Sequence, residues 1–181
     1  MGALCYTPIL DELELQGFDC GNISINKMIE ESYYPHILKQ TQTYKVTLRG
    51  KTVAFYTVSV RSISLQNSDA PVSENYWKEP IFSAVIINYI AVDKRLHRNG
   101  IGTTILESVV DEARALYHQW PVRLVVLEAL RQKVDWYLDR GFDAINQADL
   151  EGTSETVKLY LDLMPSGDKG TIEEYTSCFY Q

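Results

Sequence analysis

The chain has 181 residues, 45% of them hydrophobic, enough to bury one proper core and short for two. A single α/β domain is expected over residues 1–164, with residues 165–181 as a tail. Seventeen Lys and Arg stand against 24 Asp and Glu, a formal net charge of −7. That balance excludes a protein that coats nucleic acid through general electrostatics, because such binding draws on many cation–phosphate contacts. A local basic patch stays open.

Cys5, Cys20 and Cys178 lie far apart, with no C-x-x-C pair and no nearby His at ligand spacing, so neither a disulfide framework nor a metal site is indicated. Reduced thiols fit a cytoplasmic protein. Met1–Leu15 carries Asp11, Glu12 and Glu14 and lacks a basic start followed by an apolar run, unlike a signal peptide. The longest apolar runs are strand-sized, far below the roughly 18–20 residues of a membrane helix. A soluble cytoplasmic protein with no membrane partner is expected.

In chain order, a short strand near Leu4–Leu10 comes first. Asn22–Lys39 spaces Ile23, Met28, Ile29, Ile37 and Leu38 among polar residues, and Pro35 is a breaker, which predicts two short helices joined at or near Pro35. Thr43–Leu48 and Thr52–Ile63 are β-branched, aromatic-rich runs flanking Arg49-Gly50-Lys51, a hairpin signal. Gln66–Pro80 holds Asn, Ser, Asp and two prolines and reads as a surface loop. Ser83–Val92 is almost continuously apolar, as expected of a central strand buried on both faces. After the polar stretch Asp93–Asn99, residues Ile101, Ile105, Leu106, Val109, Val110, Ala113, Leu116 and Tyr117 recur at helical spacing, which predicts an amphipathic helix from Gly102 to about Tyr117. Val122–Leu127 is another buried strand, Gln132–Arg140 a short helix ended by Gly141, and Val157–Leu163 a last strand. Pro165–Gln181 fits no element, and the chain carries no internal repeat.

The stretch Arg95-Leu96-His97-Arg98-Asn99-Gly100-Ile101-Gly102 sits between a buried strand and a long helix. Main-chain N–H groups at a helix start bind anions, and glycines let a phosphate approach without a Cβ in the way. Lys94, Arg95 and Arg98 place positive charge there, so a pyrophosphate ligand is expected. The plainer alternative is that Gly100 and Gly102 only shape a tight turn beside solvated charges. A dinucleotide fingerprint is incomplete, because Ile105 stands where its third glycine belongs.

Ile90-Ala91-Val92, the polar stretch from Asp93, then Gly100-Ile101-Gly102 and Leu106 resemble the acetyl-CoA signature of the GNAT acyltransferases, Q/R-x-x-G-x-G/A at a helix start. Trp136-Tyr137-Leu138-Asp139-Arg140-Gly141-Phe142 resembles the aromatic-Tyr-x-x-x-Gly-Phe segment of the same family. The resemblance spans roughly Phe18–Leu163 and departs at His97, where the family has Gln or Arg. It implies a mixed, mostly antiparallel central sheet flanked by helices, acetyl-CoA as acyl donor and no metal. It also implies a cofactor site on Ile90, Ala91, Val92, His97, Arg98, Asn99, Gly100, Ile101, Gly102 and Thr103, with backbone groups of Ile90 and Val92 pairing the pantetheine arm.

Direct acyl transfer from a thioester to a primary amine needs proton removal, oxyanion stabilisation and capture of the leaving thiolate. A phenol suits the last task, since its reference pKa of about 10 lies modestly above a thiol's roughly 8.5. By the resemblance, Tyr137 is the catalytic acid; the alternative is a core residue, because Val134, Tyr137 and Leu138 share one helical face. Ser83–Val92 contains no carboxylate, and Glu128 is the nearby acid that a base role would fall to, although a strand-end Glu is more often an ion pair or a cap. His36, His97 and His118 read as surface or loop residues.

Phe18-Asp19-Cys20-Gly21-Asn22 with Ile25-Asn26, and Ala54-Phe55-Tyr56-Thr57-Val58-Ser59, resemble the GNAT branch that includes toxins of toxin–antitoxin modules, which acetylate the amino group of aminoacyl-tRNA. The acceptor is then a small molecule or an aminoacyl-tRNA, and the candidate protein partners are an antitoxin and a second copy of the chain. Lys39, Lys45, Arg49, Lys51 and Arg61 occur with no acid from Lys39 to Gln66, as an RNA-facing patch or as the solvated edge of a hairpin. A domain that binds CoA and acts through a partner surface is the non-enzymatic alternative.

Overall fold

A computed structural model describes residues 3–65, 68–70 and 81–165. Most of the expected Gln66–Pro80 loop, and the tail beyond Pro165, lie outside them. The strands are β1 (Leu4–Pro8), β2 (Gln42–Leu48), β3 (Lys51–Ser64), β4 (Ile81–Val92), β5 (Val122–Leu130), β6 (Asp143–Ala144) and β7 (Thr156–Asp162). The helices are α1 (Ile23–Glu30), α2 (Tyr33–Ile37), α3 (Ile101–Tyr117), α4 (Val134–Leu138) and α5 (Ala148–Glu151), with 3-10 turns at Glu12–Leu15, Lys94–Leu96 and Arg131–Lys133. The strand order is β1-β2-β3-β4-β5-β7-β6. Pairing is antiparallel for β1–β2, β2–β3, β5–β7 and β6–β7. The chain divides into two compact units, Met1–Val60 with Ile86–Asp111, and Arg61–Val85 with Glu112–Gln181.

In the first unit, β2 and β3 form the expected hairpin, with Leu48 opposite Lys51. Arg49 and Gly50 both take positive φ, 53° and 75°, as a two-residue type I′ turn requires to match the twist of its strands. Ile9, Leu15, Cys20, Ile29, Phe55, Tyr89 and Ala91 form a core against which Phe18, Ile25 and Tyr33 pack. Asn22 caps α1 by accepting from the Ile25 N–H at 3.0 Å.

The two-helix expectation holds, but the break lies earlier than Pro35. Pro35 is the third residue of α2, in a first turn whose N–H groups have no helical partner to lose, and the chain interrupts at Glu31 and Ser32 instead. His36 is a second correction: it is buried, and its Nδ1 accepts the Thr43 N–H at 3.1 Å. Burial, and then the charge of Lys39, pull its pKa below the usual histidine value.

A third correction concerns β4. Its burial alternates from Val85 onward: Val85, Ile87, Tyr89 and Ala91 are buried while Ile86, Asn88, Ile90 and Val92 are half-buried. A run of apolar residues therefore signals a central strand without fixing how completely its second face is covered. The stripe of α3 is buried as expected at Ile101, Ile105, Leu106, Val109, Val110 and Ala113.

In the second unit, β5 and β7 pair from Leu124↔Asp162 to Leu130↔Thr156. Arg123 and Asp162 make a two-pronged pair, Nε to Oδ1 at 3.2 Å and Nη2 to Oδ2 at 3.1 Å, and the Arg123 guanidinium lies over the Phe82 ring. Gly141 takes φ 83° just after α4, the left-handed stop expected of it. The short β6 and α5 carry no periodic pattern long enough to be read from sequence. Among the described residues no helix is long and apolar enough to cross a membrane.

Candidate phosphate loop and catalytic tyrosine

The loop that follows β4 is built by its own carboxylate. Asp93 accepts from the Arg95 N–H at 2.9 Å, the Arg95 Nε at 2.9 Å and the Arg95 Nη2 at 2.5 Å, while its own N–H donates to the Val53 carbonyl at 2.9 Å. The Arg95 hydrogen bonds hold the Asp93 carboxyl at about 2, so it is ionised at every working pH. His97 follows in extended backbone, and its Nε2–H donates to the Val92 carbonyl at 3.0 Å. The Val92 carbonyl is therefore bonded within the loop itself.

Arg98 has φ 63° and Gly100 φ 79°. The left-handed conformation is free for Gly100 and costly for Arg98, a strain of the sort found where a loop holds a ligand. The first helical bond of α3 runs from the Thr104 N–H to the Gly100 carbonyl at 3.0 Å. The amides of Ile101, Gly102 and Thr103 are thus the open donors that an α-helix carries at its first turn. A Cβ on Gly100 would meet nothing within 4 Å, and one on Gly102 would meet only Val92 Cγ2 at 3.7 Å, an ordinary contact. Backbone conformation demands glycine at 100; nothing within the described protein demands it at 102.

The charge at the loop differs from the sequence expectation. Lys94 is paired with Asp19 at 2.6 Å, and Arg95 with Asp93. Of the three expected cations, Arg98 alone has no carboxylate partner among the described residues. Asn99 and Thr103 complete the loop, exposed and half-buried, with Asn99 Nδ2 donating to the Leu96 carbonyl at 3.3 Å. Upstream, Ala91 is buried and Ile90 and Val92 are half-buried.

The 39–66 cations also separate. Lys45 is bonded to Glu14, whereas Lys39, Arg49, Lys51 and Arg61 are exposed with no ion pair among the described residues. Lys39 precedes β2, and Arg49 and Lys51 follow its far end, about 23 Å away at 3.3 Å per residue. These charges do not line an outer edge, because β1 pairs with β2.

Tyr137 lies in the other unit, half-buried on α4, with its ring edge-on to Trp136 at 4.7 Å and to Phe142 at 5.6 Å. Burial pushes its phenol up to about 12. Trp136 is held in turn by Arg140, whose guanidinium lies 4.3 Å over its ring and donates to the Trp136 carbonyl at 2.6 Å. Glu128 is exposed on β5, opposite Lys158, and accepts from the Thr156 hydroxyl. A carboxylate so engaged is a strand-surface group. Among the described residues, no group of three His, Cys, Asp or Glu side chains could hold a metal ion.

Asp19 and Asn26, in the Phe18–Asn26 segment, brace the loop from a distant part of the chain. Asp19 Oδ1 accepts from the Gly21 N–H at 2.7 Å and from Asn26 Nδ2 at 2.9 Å, and its main-chain carbonyl accepts the Lys94 N–H at 3.0 Å. The Lys94 hydrogen bond, then that of Asn26, hold the Asp19 carboxyl well below the usual carboxylate range. An Asp followed two residues later by Gly signals a side-chain-closed turn, yet nothing in that signal reports a partner 75 positions downstream.

No family model and no curated protein matches the chain. Solved structures do. A Tyr-to-Phe mutant of KacT is 17% identical, with a TM-score of 0.73 over 88% of this chain and 95% of that one. AtaT complexed with acetyl-methionyl-tRNAfMet is 17% identical, with a TM-score of 0.69 over 94% and 99%. AtaTR bound with AcCoA is 17% identical, with a TM-score of 0.68 over 98% of each chain. The chain therefore has the mixed, mostly antiparallel α/β fold of the AtaT and KacT toxins, the GNAT fold that its two motifs implied.

Proposed function

We propose that the chain is an acetyl-CoA-dependent N-acetyltransferase that acts on the α-amino group of an aminoacyl-tRNA, as the toxin of a toxin–antitoxin module. The observation that carries the acyl-CoA reading is the start of α3: open amides at 101–103, a left-handed Gly100, and a Gly102 that internal packing leaves free. A diphosphate is the group such a surface fits. Ile90, Ala91, Val92 and residues His97 to Thr103 are the proposed cofactor contacts, and the thioester supplies the activated acetyl group.

The choice of acceptor draws on the fold shared with AtaT, which was solved with acetyl-methionyl-tRNAfMet, and on four exposed cations between Lys39 and Arg61. It also draws on basicity. Ser83–Val92 offers no carboxylate and Glu128 is engaged with Thr156, so an amine of low intrinsic pKa, such as the α-amine of an esterified amino acid, suits a site without a dedicated base. Tyr137 is the proposed catalytic residue. With its phenol at about 12 it keeps its proton throughout, and it acts by donating a hydrogen bond to the sulfur as negative charge develops there. A Tyr-to-Phe mutant of the AtaT toxin was also solved bound to the C-terminus of the antitoxin AtaR, and an antitoxin is the partner proposed here.

The test is incubation with isotopically labelled acetyl-CoA and a mixture of charged tRNA, proteins and small amines, followed by mass analysis. Label on the aminoacyl group of tRNA is the expected result. Label confined to small amines or proteins refutes the acceptor, and CoA binding without any labelled product refutes the transferase.

A further inference from the structure

Two carboxylates hold the phosphate loop, and one of them comes from far outside it. Lys94, the first residue of the 3-10 turn, is held twice by Asp19: its main-chain N–H by the Asp19 carbonyl at 3.0 Å and its ammonium by Asp19 Oδ2 at 2.6 Å. Asp19 is itself fixed by the Gly21 N–H and by Asn26, whose Oδ1 also accepts the Cys20 N–H at 2.9 Å. Asn26 belongs to the first turns of α1, so the brace ties that helix to the loop. Gly21 takes φ 81°, the left-handed conformation that turns its segment here; a Cβ would make only ordinary contacts, 3.5 Å to Lys94 Cβ and 3.9 Å to His97 Cε1.

We propose that Asp19 is a positioning residue for the diphosphate, fixing Lys94 and hence the direction of the 97–102 amides before the ligand arrives. The inference rests on the reading of this loop as the CoA site. Preorganised donors bind without an ordering cost at the moment of association, whereas a loose loop must be ordered by its ligand. It follows that the Lys94 ammonium serves the brace and not the phosphate.

The test uses Asp19→Asn, which keeps an oxygen for Gly21 and Asn26 but removes the charge facing Lys94, with Lys94→Met and the double variant. Titration calorimetry with CoA is expected to show Kd raised about twofold to fivefold in each single variant, on the scale of exposed charge pairs, and no further in the double. With acetyl-CoA, KM rises while kcat at saturation is unchanged, and hydrogen exchange accelerates at 94–102 but not across 105–117. If Lys94 were instead a direct phosphate ligand, Asp19→Asn would free its ammonium and tighten binding, which overturns the proposal. Faster exchange with an unchanged Kd also overturns it, since the brace would then be merely structural. Wild-type protein that binds no CoA refutes the CoA reading itself, an outcome distinct from variants that bind as well as wild type.

Discussion

Gly102 separates packing from ligand binding more sharply than any other position. A Cβ there makes one ordinary contact, Val92 Cγ2 at 3.7 Å, so Gly102→Ala fits the fold and gains about 0.5–1 kcal/mol from the better helix former. Gly102→Asp gains less from propensity but adds about 0.3–1 kcal/mol at the positive end of α3, so it too is expected to unfold at or above the wild-type urea concentration. Binding goes the other way. A carboxylate roughly 6 Å from a diphosphate charge, at an effective dielectric of about 20, repels it by about 2–3 kcal/mol, or about 30- to 150-fold in Kd. Urea unfolding and calorimetric titration with CoA read the two effects separately, and the Ala variant is expected to bind CoA more weakly than wild type but more tightly than the Asp variant, because its methyl group stands where the phosphate approaches and carries no charge. A stable Gly102→Asp protein that binds CoA within threefold of wild type would show that the phosphates lie elsewhere.

Tyr137→Phe is expected to lower turnover by about one to three orders of magnitude with CoA affinity unchanged, and equal turnover would remove the phenol from the mechanism. Glu128→Gln is expected to leave kcat/KM within about threefold of wild type, since Glu128 is an exposed strand group bonded to Thr156; a larger loss would restore it as a base. His36 predicts an acid-sensitive fold. Its folded pKa lies below the unfolded value of about 6.5, so its contribution is whole above that pH and is lost as pH falls towards the folded pKa, with a slope of at most about 1.4 kcal/mol per pH unit. Chemical unfolding between pH 5 and pH 7, beside His36→Gln, checks the sign, and an identical slope in both proteins would assign the sensitivity to other groups.

The elements that sequence revealed are those whose pattern is local. The α3 stripe, the Arg49-Gly50 turn and the Gly141 stop each follow from a few neighbouring residues, and each stands where it was expected. The break between α1 and α2 falls near Pro35 but just before it, at Glu31 and Ser32, because proline is tolerated in a helix's first turn. His36 read as a surface residue because its partner, the Thr43 N–H, becomes a neighbour only when α2 folds onto β2. For the site, glycine spacing located the loop but miscounted its charge. Lys94 and Arg95 looked like phosphate ligands, and finding them paired requires knowing that Asp19 reaches across 75 residues and that Asp93 turns back on its own chain.

This charge pattern separates the two proposed ligands by salt. With Lys94 and Arg95 paired, the loop offers a diphosphate main-chain donors plus Arg98, the one of its three cations with no carboxylate partner among the described residues, so salt weakens CoA binding only by screening that charge, by a few-fold at most between about 50 and 200 mM. A tRNA reaching all of Lys39, Arg49, Lys51 and Arg61 engages up to four, with a slope of about −2.8 to −3.6 and a loss of about 50- to 150-fold over the same range. Parallel titrations of CoA and tRNA over that range measure both slopes on one protein. A steep slope for CoA would mean that the loop pairs open and their lysine and arginine face the ligand, against the brace. A flat slope for tRNA would mean that the 39–61 cations touch no phosphate, and the acceptor would then have to be sought among amines that carry no nucleic acid.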